Sequence, residues 1–566
     1  MKAALLDFAD IYKHWKSAVQ EAELLAELAR IAENPSEIEE RFYRELEFGT
    51  GGLRGVIGVG TNRMNIYTVA KATQGYSNYL KQIVPDPSVA IAYDSRILSV
   101  RFAKTAAEVF AANGIYVHIY PRLMPTPALS FAVRELNCSG GVVITASHNP
   151  AKYNGYKVYG KDGCQITTQI AKIIQQEIDK IDPFQDVQWT DFEEMLQKRQ
   201  ITYIGEETAN QYIAAVSATS LLSKEFSRDL AITYTPLNGT GISCVPQCLE
   251  KNGFANLTIP KEQKDPDGNF PTCLYPNPEV KEALAVGLAH AKKMRSDLLL
   301  ATDPDCDRVG AAVQGPGGSY TLINGNEMGV LLLDFICKMR TKNGTMPKDP
   351  IAVKTIVTTP MAEKVAKRYG VQLLDVLTGF KFIGEQIGFL EEKGEQERYI
   401  FGFEESYGYL SGSFVRDKDG VNASLLICEM VAWYRTEGRT LLDVLEQLHQ
   451  TYGYYTSRLL SFTFEGAAGF AEMNTLIQGL RNHPPEEIAG YTVEKQIDYQ
   501  QDNTGLPRSN VLRFFLADGT ETTIRPSGTE PKLKIYFTTV SPSRALSEER
   551  AEKLAGYFTK WVKQGK

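Results

Sequence analysis

The sequence predicts a multidomain α/β protein closed by a smaller α+β domain, and three observations carry that prediction. From about residue 88 onward, apolar strand-like runs alternate with helix-like segments, the pattern of helices packed over a sheet. Near Tyr452 the texture changes to strand-like runs accompanied by two helices. At 566 residues the chain is also too long for one hydrophobic core, so roughly three to five domains are expected.

Taken in order, Leu24, Leu28 and Ile31 recur at helical spacing, with Leu25 beside them, in a helical N-terminal extension. A glycine-dense loop, FGTGGLRGVIGVG, follows. SVAIAYDSR from Ser88 reads as a strand entering a polar loop, TAAEVFAANG as a helix ending at Gly114, IYVHIY as a strand, and GGVVITASHNP as another strand and loop. The cadence returns near Asp229 (DLAITYTPLNGTG), Ser296 (SDLLLATDPDCD), Pro350 (PIAVKTIVTT) and Glu397 (ERYIFGFEESYG). The last region holds short strands, RLLSFTF, VLRFFLADGTETTIR and KLKIYFTT. Boundaries are placed near 210, 325 and 450, giving segments 1–210, 211–325, 326–450 and 451–566. Four polar loops border apolar strands, one in each segment. Ligands of open α/β sheets gather at strand carboxyl ends, so the loops are expected to line one cleft at the domain junction.

Composition narrows the function. With 43% apolar and 23% charged residues and a formal charge of -7, the chain reads as a soluble protein with no nucleic-acid or anionic-membrane partner, while leaving room for a basic cleft. Eight cysteines without a CxxC read as reduced thiols. The six histidines show no zinc spacing. The opening MKAALLDFADIYKHW carries Asp7 and Asp10 in its apolar stretch and makes a poor signal peptide. No apolar run of about 18 residues occurs, and the expected location is cytoplasmic.

The loops carry the chemistry. TASHNP (Thr145 to Pro150) puts the Ser147 hydroxyl at a strand end. It lacks the GxSxG elbow of serine hydrolases, and His148, as the adjacent residue, is expected to point away from Ser147 and to be poorly placed as its base. TDPDCDR places Asp303, Asp305 and Asp307 at alternate positions. Carboxylates so close repel unless a cation neutralises them, and hard oxygens select Mg²⁺ or Ca²⁺. An EF-hand fits badly, because Arg308 takes its glycine position and Gln314 its glutamate. Mg²⁺ is favoured, with a phosphoryl group on Ser147 as a further oxygen ligand and Arg308 offsetting charge or holding a substrate oxygen. RPSGTEPK offers Arg525, Ser527, Gly528 and Thr529, a planar fork, two hydroxyls and an approachable backbone, for phosphate. FEESYG sets Glu404, Glu405 and Ser406 in an acceptor-rich loop suited to sugar hydroxyls. GTGGLRG and KYNGYKVYG add the cations Arg54 and Lys157.

Taken together, these loops resemble the α-D-phosphohexomutase family of phosphoglucomutases and phosphomannomutases. The resemblance runs nearly the whole chain in order: GTGGLRG, YDSR, PTP, TASHNP with NGYK, PNPE, TDPDCDR, TGFKFIG, FEESYG and RPSGTEPK. It is nearest to the longer group that includes bacterial α-phosphoglucomutases, phosphopentomutases and glucose-1,6-bisphosphate synthases. FEESYG, with Glu405 central, is more like the glucose branch than the mannose branch, whose loop usually carries Met there. YTPLNGTG departs from a common TPLHG pattern at Asn238.

The resemblance implies three related mixed α/β sheet domains and a smaller C-terminal α+β domain around a central cleft. It implies that Ser147 is phosphorylated and that Ser147, Asp303, Asp305 and Asp307 hold Mg²⁺. Arg54 and His148 match residues beside the phosphoserine, and Lys157 matches the candidate general acid/base, given a pKa lowered by neighbouring cations. Glu404 and Ser406 fall on the sugar-hydroxyl loop, Lys381 on a substrate-facing position, and Arg525, Ser527, Gly528 and Thr529 on the loop for the non-reacting phosphate. The implied reaction interconverts α-D-glucose 1-phosphate and glucose 6-phosphate through glucose 1,6-bisphosphate, which also serves as activator. A flexible fourth domain would let the bisphosphate turn over. The alternatives are phosphopentomutase, phosphomannomutase or glucose-1,6-bisphosphate synthase by the same chemistry. Small sugar phosphates are the expected partners, and the chain is expected to be a monomer or weak homodimer.

Overall fold

The computed structural model describes residues 7–49, 51–464, 466–527 and 532–564. Two compact units are present: one comprises residues 1–314, 318–320 and 412–428, the other 315–317, 321–411 and 429–566.

The first unit opens with the helices Phe8–Ala18, Ala22–Ile31 and Pro35–Phe42. Leu28 and Ile31 are buried as their spacing requires, while Leu25 stays at the surface. Trp15, Tyr12 and Phe42 meet edge to face and tie the extension together. Buried Arg41 pairs with Glu27, whose other oxygen accepts from the Val59 N–H, so the extension braces the glycine-rich loop.

Strands Gly140–Ile144, Ser88–Tyr93, Tyr116–Ile119 and Ile201–Tyr203 lie parallel, and Tyr153–Gly160 and Gly52–Val56 extend that sheet antiparallel. Gly140–Ile144 is buried at every position, as a strand covered on both faces must be. The helices Ile66–Ile83 and Ser99–Ala112 pack with it, the first started by an Asn65–Thr68 capping box. At Gly52 a side chain would run into the Tyr156 carbonyl, so glycine lets these two edge strands close up.

A second sheet in this unit sets Leu298–Thr302 between Ile232–Thr235, parallel, and Val309–Gln314, antiparallel. Asn238, the departure noted above, adopts a left-handed backbone (φ 57°), which asparagine tolerates. Its amide nitrogen donates to the Glu262 and Asp265 carbonyls.

In the second unit Gln372–Val376, Ile351–Thr355 and Tyr399–Glu404 run parallel, and Gly408–Leu410 returns antiparallel. The C-terminal sheet is antiparallel throughout its six strands, with Tyr454–Thr463 and Lys532–Ser541 paired along their whole length. These strands are longer than the short runs expected. The helices Gly466–Asn482 and Arg544–Gln564 enclose its core around Phe514, Ile535 and Phe558. The fold class is therefore as expected: mixed α/β sheets followed by an α+β domain.

Candidate active site

Ser147 leaves the end of strand Gly140–Ile144 in the left-handed region, at φ 50°, a conformation that costs about 1 kcal/mol or more and needs support from its surroundings. Its N–H donates to Thr145 Oγ1 at 2.8 Å. Its hydroxyl is 3% exposed as a residue and donates to Asp303 Oδ2 at 2.6 Å. His148 Nδ1 lies 3.1 Å from the same oxygen. This corrects the expectation that neighbouring side chains diverge: the left-handed turn at Ser147 brings the two together. Burial, then Arg308 and Arg54, push the imidazole well below its ordinary pKa, so it is neutral at neutral pH.

The loop after Leu298–Thr302 carries the carboxylates. Asp303, Asp305 and Asp307 are buried, and one ligand oxygen from each lies within 4.8 Å of the others. Asp303 Oδ1 accepts from the N–H groups of Asp307 and Arg308, and Cys306 turns left-handed at φ 54° to fold the loop back. Asp305 Oδ2 accepts from Thr126 Oγ1 at 2.9 Å and Lys157 Nζ at 2.7 Å. Asp307 Oδ2 lies 3.3 Å from Lys157 Nζ and 3.2 Å from Lys418 Nζ.

Electrostatics separates the three. Burial, then the neighbouring Asp305 and Asp307, raise Asp303 well above the carboxylate range. Burial would raise Asp307 too, but Lys418, Lys157 and Arg308 outweigh it and hold it low. Asp305 is likewise lowered, with Lys157 opposing burial. Lys157 itself departs from expectation. Burial lowers it, yet Asp305 and Asp307 more than compensate and its pKa is raised, so it stands as a proton donor. Asp305 Oδ1 and Asp307 Oδ1 are buried and have no hydrogen-bond partner among the described residues. Arg308 Nε stands 3.8 Å from Asp307 Oδ1, but buried carboxylate oxygens that accept no hydrogen bond still call for a cation, and an all-oxygen set fits Mg²⁺.

Arg54, on strand Gly52–Val56, donates to Asn149 Oδ1 in the serine loop at 3.4 Å. Arg308 Nη1 pairs with Glu279 Oε1 at 2.7 Å. The first unit thus brings together Ser147, His148, Arg54, Lys157, Arg308 and the aspartate triplet. It adds residues that sequence reasoning missed. Lys418 reaches Asp307 and Asp417, and Asp417 accepts from the buried Tyr159 hydroxyl at 2.7 Å. Their signal was the charged run RDKDG, set between apolar neighbours. Thr126, within the PTP motif, was another.

In the second unit Ser406 Oγ donates to Glu404 Oε1 at 3.0 Å, while Glu405 Oε2 accepts from Thr355 and Thr358. Glu405 thus buttresses its loop from below. Lys381 is buried in the first turn of helix Phe380–Glu392, with its ammonium 5.3 Å from the Phe382 ring centroid. Arg525 is the next-to-last residue of strand Glu521–Pro526, and its charge acts on the Tyr536 hydroxyl. Burial, then Glu405, raise that tyrosine's pKa, while Arg525 opposes them. Glu405 and Arg525 therefore bear in opposite senses on one hydroxyl. Ser527 N–H donates to the Lys532 carbonyl at 2.7 Å. Gly528 and Thr529 lie outside the described residues.

Fold and site together define a multidomain α/β enzyme that transfers phosphoryl groups within its substrate. The chain belongs to the phosphoglucomutase/phosphomannomutase family. It matches the family's alpha/beta/alpha domain I over residues 45–185, domain II over 210–317, domain III over 324–452 and C-terminal domain over 476–555. It is 37% identical to a phosphoglucomutase of Staphylococcus aureus, covering 90% of this chain and 93% of that protein. A Staphylococcus haemolyticus phosphoglucomutase is 36% identical over 88% and 91% of the two chains. Among solved structures, a phosphoglucomutase/phosphomannomutase family protein from Burkholderia thailandensis shares the fold with a TM-score of 0.68 at 19% identity, covering 92% of this chain and 97% of that one. Parafusin, a phosphoglucomutase from Paramecium in its open form, gives 0.66 at 18% identity over 92% and 95%.

Proposed function

We propose that the chain is a phosphoglucomutase, interconverting α-D-glucose 1-phosphate and glucose 6-phosphate with Ser147 as the phosphoryl carrier. The observation that carries this reading is the 2.6 Å hydrogen bond from the Ser147 hydroxyl to Asp303, inside a buried carboxylate triplet. Phosphorylated Ser147 gives its phosphoryl to the sugar 6-hydroxyl: the P–Oγ bond breaks, a P–O6 bond forms, and the hydroxyl proton replaces the one that Lys157 gives to the freed Ser147 Oγ. The 1,6-bisphosphate turns in place and returns its 1-phosphoryl to Ser147.

Ser147, Asp303, Asp305 and Asp307 would hold the metal, and Mg²⁺ when bound supplies Lewis-acid polarisation of phosphoryl oxygens. Neutral His148, 3.1 Å from the serine oxygen, and Arg54, hydrogen-bonded to Asn149 in the same loop, stabilise charge developing there. Lys157, protonated and paired with Asp305, donates a proton to the departing oxygen. Arg308 offsets the triplet's charge. Glu404, Ser406 and Lys381 are assigned to the sugar, and Arg525, Ser527, Gly528 and Thr529 to the second phosphate. Domain boundaries at 210, 325 and 450 belong to the same reading, as does a cytoplasmic location, which suits eight free cysteines. Among the described residues no helix is long and apolar enough to cross a membrane.

The test is intact mass after incubation with glucose 1,6-bisphosphate and Mg²⁺, with turnover of glucose, mannose and ribose 1-phosphates side by side. One phosphoryl on Ser147, absent in Ser147→Ala, and fastest turnover of the glucose substrate are expected. Faster turnover of mannose or ribose 1-phosphate would move the assignment to another mutase of the family, and an unmodified Ser147 would remove the mechanism.

A further inference from the structure

We infer that Arg96 is a positioning residue for Ser147: tied to Asp94, its guanidinium grips the main chain of the serine loop and fixes the left-handed turn that aims the hydroxyl at Asp303. The inference rests on Ser147 as the phosphoryl carrier.

The Arg96 side chain is fully buried, as is that of Asp94, 3.3 Å away. A buried guanidinium usually spends its donors on carboxylates or on ligand. Here they go to the backbone. Nη1 donates to the carbonyls of Pro150 and Tyr153, both at 3.0 Å, and Nη2 to those of Ser147 and Asn149. One rigid fork thus gathers four carbonyls of a seven-residue loop, which gives Arg96 a supporting place.

Asp94 secures the other side. Its Oδ1 accepts from the Arg96 N–H and Ser99 Oγ, fixing where the arginine starts. Its Oδ2 accepts from Thr145 Oγ1 at 2.6 Å, and that same hydroxyl oxygen accepts the Ser147 N–H at 2.8 Å. Both backbone polar groups of Ser147 therefore trace to a single carboxylate: its N–H through Thr145, its carbonyl through Arg96. A strained φ persists only where surroundings over-determine it, and this clamp does so.

The clamp also reaches the connection after helix Lys261–Lys264, in the matched domain II that carries the aspartates. The Arg96 guanidinium lies 5.0 Å from the Phe270 ring centroid, and Arg96 pairs as a β-bridge with Gly268. At Gly268 an added side-chain carbon would sit 2.5 Å from the Ile97 nitrogen, so glycine permits the approach. Arg96 thus touches both the serine loop and the Gly268–Phe270 segment.

The test compares Arg96→Lys, Thr145→Val and Thr145→Ser in the full chain, with rates per folded protein. The readouts are phosphoryl uptake by Ser147 from glucose 1,6-bisphosphate, followed by intact mass, and kcat and KM for glucose 1-phosphate. Lysine keeps the charge but cannot span four carbonyls, so uptake and kcat are expected to fall together by about 100-fold, the order expected for a misplaced reacting group. KM should stay within about twofold, because substrate contacts are untouched. Thr145→Val should lose about tenfold, the order of one hydrogen bond, and Thr145→Ser should restore wild-type rates. Should Arg96→Lys fail to fold, the valine–serine comparison decides. Wild-type uptake in folded Arg96→Lys or in Thr145→Val, or a change confined to KM, overturns the inference. A wild-type enzyme that takes up no phosphoryl on Ser147 overturns instead the assignment beneath it.

Discussion

Ser147 and Asp303, 156 residues apart in the chain, meet through a 2.6 Å hydrogen bond from the serine hydroxyl to Asp303 Oδ2. That bond joins the loop after a strand of one mixed sheet to the loop after a strand of another. It leaves the hydroxyl oxygen next to a carboxylate triplet whose charges need a counter-ion, so removing either the charge or the ion has separable consequences.

For Asp303→Asn, turnover is expected to fall by at least about 1,000-fold, since several kcal/mol of charge stabilisation go with the metal. Without Mg²⁺ the variant should melt above the wild type, because burial, Asp305 and Asp307 all disfavour the Asp303 charge. Wild type should gain about 2.7 kcal/mol at Mg²⁺ a hundredfold above its Kd, and the variant little. Calorimetry with and without EDTA reads both.

Lys418→Met removes one of two ammonium groups from Asp307 Oδ2, 3.2 Å away. Turnover is expected to drop by about 100-fold, at the low end for loss of a positioned charged donor. Lys418→Arg should recover part of it. Steady-state kinetics at saturating Mg²⁺ measures the drop, and unchanged kcat would place Lys418 outside the chemistry.

The second unit carries an ion-pair chain of its own. Lys354, with a side chain that is fully buried, pairs with Asp375 at 2.8 Å, and Asp375 pairs with Arg513 at 3.0 Å, which pairs in turn with Glu521. Asp375→Ala takes the nearer carboxylate from a buried ammonium, leaving it Glu363 at 3.7 Å, and should cost about 3 kcal/mol. The double variant with Lys354→Met should regain most of that in urea melts.

Asp419 gives a pH signature. Burial lifts its pKa from 3.8 to about 6, against hydrogen bonds from Asn422, Tyr212 and Val421 that all reach Oδ1. The folded chain therefore binds this proton more tightly than the unfolded chain. Its stabilising effect is complete below pH 3.8 and lost as pH rises through about 6. Asp419→Asn keeps the Oδ1 acceptor and removes the titration. Relative to wild type, its unfolding free energy should rise by up to about 3 kcal/mol between acid and neutral pH. Equal pH profiles would count against the shift.

Much of this was readable before any coordinates. Strands Ser88–Tyr93, Leu298–Thr302 and Tyr399–Glu404 announce themselves as apolar runs ending in polar loops. The aspartate triplet is local, three carboxylates in five residues, so its need for a cation follows from spacing alone. Lys418 and Arg96 were not readable in that way. A lysine in RDKDG and an arginine in YDSR look like solvated charges until the fold buries them. The same holds for His148, whose approach to Ser147 depends on one left-handed dihedral angle.

Local chemistry in the chain pointed to the groups proposed to act: a serine at a strand end, oxygens for a hard cation, an arginine-bearing turn for phosphate. Their working state was decided by packing. Charge–charge energies depend on distance and dielectric: the nearness of Asp305 and Asp307 keeps Lys157 protonated against its burial, and burial together with the same two carboxylates sets Asp303 apart from its neighbours. Residue order supplies the groups, but three-dimensional proximity in a dry interior assigns their protons.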